Sequence, residues 1–194
     1  MAKGERAAEP VPAVAEGAEG AEQRRCGYVA LIGAPNAGKS TLLNRLVGHK
    51  LAIVTPKAQT TRSRLLGIAI EGPAQLIYVD TPGIFEPRRR LDRAMVAAAW
   101  AGAADADVSV LLVDAARPLD RDTRHIIDRL AARGRRAILA LNKVDAVRRD
   151  SLLGLADRLS AGGAFERVFM ISALNGDGVG DVQRYLAANL PHGP

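Results

Sequence analysis

The sequence has little of the chemistry that many proteins use to stabilise a fold or to hold a metal. Its single cysteine, Cys26, excludes an intrachain disulfide and a cysteine-based metal cluster, and it suits a reducing cytosol. Only 4% of the residues are aromatic, so aliphatic side chains must form the core. No apolar run approaches the roughly 18 residues that cross a bilayer, and the first residues lack the apolar stretch of a signal peptide. We therefore expect a cytoplasmic protein.

What the sequence does contain is enough apolar material for one domain and an excess of basic residues. Hydrophobic residues make up 48% of the 194 positions, and the formal net charge is +6. This charge favours acidic partners such as nucleotides, RNA or an anionic membrane, although an arginine-rich soluble enzyme would show the same balance.

The order of elements predicts an α/β protein. Residues 1–25 are rich in Ala, Glu, Gly and Pro without a periodic apolar face, and we expect a disordered tail there. Beyond them, buried-strand patterns alternate with amphipathic segments near 39–47, 91–101, 120–133, 150–160 and 179–190, which predicts a three-layer sandwich. The predicted strands are Tyr28–Ile32, Leu65–Ile70, Leu76–Val79, Val108–Val113, Ala137–Leu141 and Val168–Ile171.

The stretch "GAPNAGKS" between the first strand and the first helix matches the phosphate-loop pattern. Glycines let backbone N–H groups wrap a polyphosphate, and the positive end of the following helix points at it. Lys39 would add a full charge at the β- and γ-phosphate oxygens, and the Ser40 hydroxyl can ligate Mg²⁺. The alternative is a glycine-rich turn with an exposed lysine. The predicted nucleotide contacts are Gly33, Ala34, Pro35, Asn36, Ala37, Gly38, Lys39, Ser40 and Thr41.

A second motif, "LIYVDTPG", places Asp80 at the end of a predicted strand. Ligands of open α/β sheets bind at the carboxyl ends of the strands. Beside a phosphate loop, Asp80 can hold Mg²⁺, with water between them, and Gly83 can direct its backbone N–H to a γ-phosphate. On its own the motif would be an ordinary turn, and the phosphate loop upstream gives it meaning.

Two further strand ends carry residues suited to guanine. In "ILALNKVD", the Asp145 carboxylate can accept hydrogen bonds from guanine N1–H and the exocyclic amine, a pair that adenine does not offer. Asn142 can support the base and the neighbouring loops, and the Lys143 alkyl stem can cover the base plane. In "VFMISALNGDG", Ser172 and Ala173 can present backbone N–H groups to guanine O6. The expected ligand is therefore GTP or GDP rather than ATP.

With these motifs in order, the chain resembles the Era-like group of translation-factor-type GTPases, in the TrmE–Era–EngA superfamily. The resemblance covers residues 26–191 and rests on "GYVALIGAPNAGKSTLLNRLVG", "IVTPKAQTTRSRLLGI", "YVDTPGIFEPRRRLDRAMVAAAW", "LALNKVD" and "ISALNGDGV". It implies a P-loop NTPase sandwich of the Ras-like G-domain type. Such a domain has five helices and a six-stranded mixed sheet in the order 2-3-1-4-5-6, with strand two antiparallel.

The resemblance also implies GTP hydrolysis by in-line attack of water. Lys39 and Mg²⁺ would stabilise the developing charge, Ser40 and Thr61 (Thr60 is the second choice) would ligate the ion, and Asp80 would hold it through water. Ile84 follows the glycine of the second motif, where small signalling GTPases carry a glutamine that orients water. We therefore expect slow unaided turnover. The alternative is a nucleotide-gated module that binds RNA or protein and hardly hydrolyses GTP.

Other segments of the resemblance concern switching. In related families an asparagine at the position of Asn36 coordinates K⁺; otherwise this residue only tolerates the backbone geometry of the loop. Residues 48–64 resemble switch I, and residues 82–90 resemble switch II. Arg88–Arg90 and Arg93 form a basic cluster beside switch II. The cluster suits a docking face for RNA or a partner domain as well as it suits a solvated helix start.

Proteins of this group carry a second, RNA-binding KH domain after the GTPase domain. The present sequence reaches residues 192–194, which we expect to begin the linker to a KH domain that the sequence does not include. The implied role is assembly of the small (30S) ribosomal subunit and maturation of 16S rRNA, with RNA contacts mainly in the KH domain. We expect a monomer, and a weak peripheral association with the inner face of the cell membrane is left open.

Overall fold

The computed structural model describes residues 24–48, 64–80, 90–132 and 137–193. Strands and helices alternate along these segments, and a short 3₁₀ helix, Val144–Ala146, follows the fifth strand. The strands are β1 Arg25–Gly33, β2 Arg64–Glu71, β3 Ala74–Asp80, β4 Val108–Asp114, β5 Ala137–Asn142 and β6 Phe165–Met170. The helices are α1 Lys39–Val47, α2 Arg90–Asp105, α3 Arg121–Ala132, α4 Arg149–Ser160 and α5 Val179–Asn189.

The six described strands form one sheet in the order β2-β3-β1-β4-β5-β6. β2 pairs antiparallel with β3, and the other four neighbouring pairs are parallel. The predicted order and the five helices are confirmed in the described part of the chain. Because β1, β3, β4, β5 and β6 run in the same direction, their carboxyl ends meet at one edge of the sheet, where ligands of such folds bind.

Apolar side chains cover both faces of the sheet, which explains why the central strands are continuously hydrophobic. Leu31 and Ile32 are adjacent on β1 and point to opposite faces. Leu31 belongs to a core cluster with residues of α1 and α5, and Ile32 belongs to one with residues of α2, α3 and α4. Trp100 of α2 is 2% exposed in the second cluster, so this scarce aromatic residue is part of the core. The sandwich therefore holds the central strand, and the loop that follows it, from both sides.

Backbone pairing joins residues on both sides of the predicted boundaries at 26 and 191. β1 begins at Arg25, inside the stretch expected to be a tail, and residues 1–23 lie outside the described residues. His192, expected to begin a linker, forms an antiparallel bridge with Arg25. Cys26 N–H donates to Pro191 O over 3.2 Å, and Gly193 N–H donates to Arg24 O over 3.2 Å. An isolated β-bridge thus holds the last described segment beside the start of β1.

The sixth strand was predicted as 168–171 and is observed as Phe165–Met170. It lies at the edge of the sheet, where exposed charged residues such as Glu166 and Arg167 are tolerated, so its apolar signal is short.

Among the helices the structure describes, none has the length and apolar character needed to cross a membrane.

Candidate nucleotide-binding site

The strand-to-helix turn predicted to bind phosphate has the geometry its two glycines allow. Gly33 is the last residue of β1, and a Cβ there would lie 2.7 Å from the Leu112 carbonyl oxygen. Gly38 precedes α1 with φ 104°, and a Cβ there would collide with Asn142 Nδ2. A side chain at either position would push the loop away from the sheet, so glycine is needed at both.

The amino end of α1 is open toward the loop. Gly38 caps the helix without a side-chain hydrogen bond, and the first turn carries no acidic residue. Leu42 N–H donates to Gly38 O over 2.9 Å, and the N–H groups of the first turn of a helix point out of its amino end. Ser40 and Thr41 are exposed at this end. This arrangement provides N–H donors and a positive helix end, the features that bind an anion.

Lys39 adds a cation to the same place. Its Nζ donates to Gly33 O over 3.0 Å and to Ala34 O over 2.9 Å. The ammonium group therefore lies over the start of the loop, beside the first turn of α1. A polyphosphate in the loop would meet this charge together with the backbone amides.

Asn142, at the end of β5, is the buried link between two loops. Its side chain is 2% exposed, and Nδ2 donates to Ala37 O over 2.9 Å. Its Oδ1 accepts from Ala173 N–H over 2.9 Å. The phosphate loop and the loop after β6 are therefore joined through one carboxamide.

Lys143 holds the neighbouring carbonyl of the phosphate loop. Its Nζ donates to Asn36 O over 3.2 Å and forms an ion pair with Asp114 Oδ2 over 2.6 Å. Lys143 and Asn36 both have left-handed backbone conformations, with φ 68° and φ 65°. Since the Asn36 and Ala37 carbonyls are bound from the β5 side, the end of β5 fixes how the loop presents its peptide groups.

The residues predicted to bind guanine lie on either side of Asn142. Asp145 is exposed on the 3₁₀ helix that follows Lys143. Ser172 N–H donates to Asp177 O over 2.9 Å, and Ala173 N–H donates to Asn142 Oδ1. Both amides thus donate within the protein, and their predicted donation to guanine O6 stays a prediction.

Arg45 and Asp114 are site residues that the sequence analysis did not single out. Arg45 reaches from α1 to the loop after β6, where Nε donates to Ala173 O over 3.3 Å and the guanidinium also donates to Leu174 O. Asp114 ends β4 directly opposite Asn142 of β5. A signal for Asp114 exists in "VSVLLVD", which ends a buried strand in a carboxylate as β3 does. Arg45 gives no such signal, since it reads as an ordinary last-turn arginine.

The remaining predicted residues are only partly within the described structure. Asp80 is the last residue of β3 and pairs in register with Leu31 of β1, two residues before Gly33. Thr60, Thr61, Gly83, Ile84, Arg88 and Arg89 lie outside the described residues, as do residues 49–63 and 81–89 of the two predicted switches. Within the ranges that are described, no three acidic, histidine or cysteine side chains gather into a metal-binding group.

The fold and the phosphate loop define a P-loop protein with a Ras-like G domain. A sequence profile described as "50S ribosome-binding GTPase" matches residues 28–143, more than half of the chain. The chain therefore belongs to this GTPase family.

Within the family, the chain is similar to GTPase Era of several bacteria. It is 58% identical over 177 residues to GTPase Era of Rhizobium meliloti, which covers 91% of this chain and 56% of the relative. It is 56% identical over 180 residues to GTPase Era of a Bradyrhizobium species, covering 93% of this chain and 59% of the relative. The resemblance stated from the motifs is confirmed, and the chain spans little more than half the length of these curated relatives.

Solved structures agree with the sequence relatives. Era in complex with MgGDPNP and nucleotides 1506–1542 of 16S ribosomal RNA is 36% identical, with a TM-score of 0.74 over 88% of this chain and 59% of that one. An Aquifex aeolicus Era variant bound to GDP·AlF₄⁻ is 37% identical, with a TM-score of 0.71 over 88% of this chain and 58% of that one. The Thermotoga maritima FeoB G domain, 22% identical with a TM-score of 0.58 over 84% of this chain and 98% of that one, shares the fold alone.

Proposed function

We propose that the chain is the GTP-binding and GTP-hydrolysing part of an Era-type molecular switch. The observation that carries the proposal is a pair of hydrogen bonds: Asn142 donates to the Ala37 carbonyl, and Lys143 donates to the Asn36 carbonyl. It joins a phosphate cradle to the motif predicted to read guanine, with Asp145 two residues further along the chain. A single ligand with a guanine base and a polyphosphate would occupy both parts.

In this proposal the phosphate end carries out the hydrolysis. Lys39 and the amides of the α1 first turn would bind the phosphates and stabilise charge on the leaving oxygens. Ser40 is exposed at that turn and Asp80 ends the neighbouring strand β3, a placement that suits Mg²⁺ ligation directly and through water. Thr61 would complete the set of ligands, and the Gly83 N–H would bind the γ-phosphate. A bound Mg²⁺ supplies positive charge to the phosphate oxygens.

We also propose that K⁺ assists the reaction through Asn36. Asn36 is exposed in the phosphate loop, and its φ of 65° is one that glycine adopts without strain. The Asn36→Gly variant therefore keeps the backbone and removes the amide. We expect it to lose stimulation by K⁺ over Na⁺ and to retain GDP binding. Equal hydrolysis by the unchanged protein in K⁺ and Na⁺ would remove this part of the proposal.

The proposed cellular role is assembly of the small ribosomal subunit and maturation of 16S rRNA. The family description names the 50S subunit, whereas a relative 36% identical to this chain was crystallised with a 16S rRNA fragment. We follow the relative because its likeness extends over 88% of this chain, whereas the profile matches residues 28–143 alone. The site of action would be the cytoplasm.

The hydrolysis proposal is tested by phosphate release from GTP with the purified chain. We expect slow turnover that Lys39→Ala abolishes and that Asp150→Ala, a change at an exposed aspartate of α4, leaves unaltered. Asp145→Asn should shift preference from guanosine toward xanthosine nucleotides. Tight GTP binding without phosphate release would instead favour the nucleotide-gated binding module.

The ribosomal proposal is tested separately by co-sedimentation with purified small and large subunits. The chain is loaded with a non-hydrolysable GTP analogue or with GDP. Binding to small subunits in the GTP form alone supports the proposed switch in this domain. Binding to large subunits, or to neither subunit in either form, would overturn the assignment for this part of the protein.

A further inference from the structure

Asp114 makes contacts that no predicted role explains. Its Oδ2 accepts from Lys143 Nζ over 2.6 Å, and its Oδ1 accepts from Ala116 N–H over 3.0 Å. The side chain is 14% exposed, compared with 37% for Lys143. Arg117 Nε lies 3.7 Å from the same Oδ2, but the Arg117 side chain is 74% exposed. Asp114 is thus fixed by its own turn and directed at Lys143.

The ion pair restricts a flexible side chain that the nucleotide site needs in one place. A lysine stem has four rotatable bonds and loses rotamer entropy when it is held. The Asn36 carbonyl is a neutral acceptor at 3.2 Å, whereas the Asp114 carboxylate is charged and closer. Charge-assisted hydrogen bonds are about twice as strong as neutral ones, so Asp114 is the stronger of the two anchors.

We propose that Asp114 is a positioning residue that slows nucleotide release by holding Lys143 across the phosphate loop. The inference rests on the proposed function, since it assigns Asp114 a part in nucleotide retention. Asp114 would act on GDP and GTP alike, because its partner holds the Asn36 carbonyl rather than a γ-phosphate contact. It would not discriminate between bases, because the base edge is assigned to Asp145.

If Asp114 acted through its charge alone, removing it would have the opposite effect on nucleotide binding. An experiment can therefore decide between the two explanations. A carboxylate near a polyphosphate repels it, so removal of Asp114 would tighten binding if the carboxylate acted only through its charge. If Asp114 positions Lys143, its removal weakens binding. Losing a charge-assisted hydrogen bond should speed release by about tenfold, which corresponds to about 1.4 kcal/mol.

The experiment measures release of fluorescent GDP, and of a non-hydrolysable GTP analogue, from the purified chain. Asp114→Ala should release both about tenfold faster, and Asp114→Asn, which keeps an oxygen acceptor, should fall between it and the unchanged protein. Asp150→Ala removes one member of an exposed ion pair with Arg148 and should change neither rate. Combining Asp114→Ala with Lys143→Ala should add nothing to Lys143→Ala alone.

The base preference separates positioning from a general loss of structure. The ratio of GDP to inosine diphosphate affinity should stay constant in Asp114→Ala and fall in Asp145→Ala, because inosine lacks the exocyclic amine. Unchanged or slower release from Asp114→Ala and Asp114→Asn, an additive double variant, or a changed base ratio would each overturn the inference. If the unchanged protein fails to bind GDP, the proposed function itself fails.

Discussion

The side-chain amide of Asn142 donates to the carbonyl oxygen of Ala37 over 2.9 Å, so the end of β5 holds the phosphate loop directly. The same carboxamide accepts from Ala173 N–H, which makes it the link between the phosphate loop and the loop after β6. Its contribution to binding is therefore inseparable from its contribution to the fold.

Asn142→Ala should lower both stability and nucleotide affinity. The change leaves Ala37 O and Ala173 N–H without their present partner, and two unsatisfied buried groups should cost about 3 kcal/mol together. Denaturant unfolding of the nucleotide-free chain measures the first effect, and GDP titration measures the second. Asn44→Ala, at an exposed position of α1, is the control and should change unfolding by less than about 0.5 kcal/mol. An Asn142→Ala protein as stable as the parent would contradict the bridging role.

Two glycine substitutions should act in opposite directions. Gly38→Ala places a Cβ against Asn142 Nδ2 at φ 104°. We expect the variant to lose at least about 2 kcal/mol of folding stability and to lose GDP binding as well. Gly154→Ala in α4 meets nothing within 4 Å and should stabilise by about 0.5–1 kcal/mol. Thermal unfolding of the two variants side by side is the measurement, and a tolerated Gly38→Ala would show that the loop has room to shift.

Tyr78→Phe should leave stability unchanged or raise it. The Tyr78 side chain is fully buried, and within the described residues its hydroxyl has no hydrogen-bond partner. Removing a buried, unpaired hydroxyl removes its desolvation penalty, about 1 kcal/mol. A marked loss of stability on thermal unfolding would mean that the hydroxyl has a partner in solution, such as bound water.

Tyr78 also makes the free energy of unfolding depend on pH. Burial, with a smaller contribution from the Glu71 charge, raises the pKa of the Tyr78 phenol above its ordinary value of 10.0. The folded state therefore favours the neutral phenol. The folding stability linked to this proton is fully present below pH 10 and is lost as the pH rises above 10. Unfolding measured from pH 9 upward should show a steeper loss of stability for the parent than for Tyr78→Phe. Parallel curves would contradict the raised pKa.

Arg45→Ala should loosen the loop after β6 without unfolding the domain. Its guanidinium binds the carbonyls of Ala173 and Leu174, and a lost hydrogen bond of this kind should speed GDP release by about fivefold, or about 1 kcal/mol. Stopped-flow release of fluorescent GDP measures this. Arg184→Ala, which breaks an exposed pair with Asp181 on α5, is the matched control and should release GDP at the parent rate.

The elements that sequence could predict are those whose signal is local. The central strands β4 and β5 were recognised because both of their faces are buried, and the phosphate loop because its residues are contiguous. The start of β6 is not predicted because Glu166 and Arg167 separate Phe165 from the apolar residues at its end. The strand order came from family likeness, since hydrophobic runs carry no information on which strands are neighbours.

The sequence predicts contacts between the site and a ligand, and these stay predictions; it does not predict the contacts that support the site from within. The ion pair between Asp114 and Lys143 joins residues from two strand ends, and the hold of Lys143 on Asn36 joins parts of the chain still further apart. Such contacts depend on the register of neighbouring strands and on the left-handed backbone at Lys143. Neither of these can be read from residue types.

The bridge between Arg25 and His192 lies beside a residue that can be labelled chemically. Gly193 packs against Cys26, the only cysteine in the sequence, and a Cβ on Gly193 would lie 2.7 Å from the cysteine Cβ. The Cys26 side chain is partly exposed and its Sγ lies 3.9 Å from Gln75 Oε1, so a thiol reagent can label β1 beside the 191–193 segment. Cys26 is on the same strand as Gly33 and about 23 Å from it at ~3.3 Å per residue. The rate of thiol labelling, compared with and without GDP, would thus show whether a ligand at one end of β1 changes the accessibility of the other end.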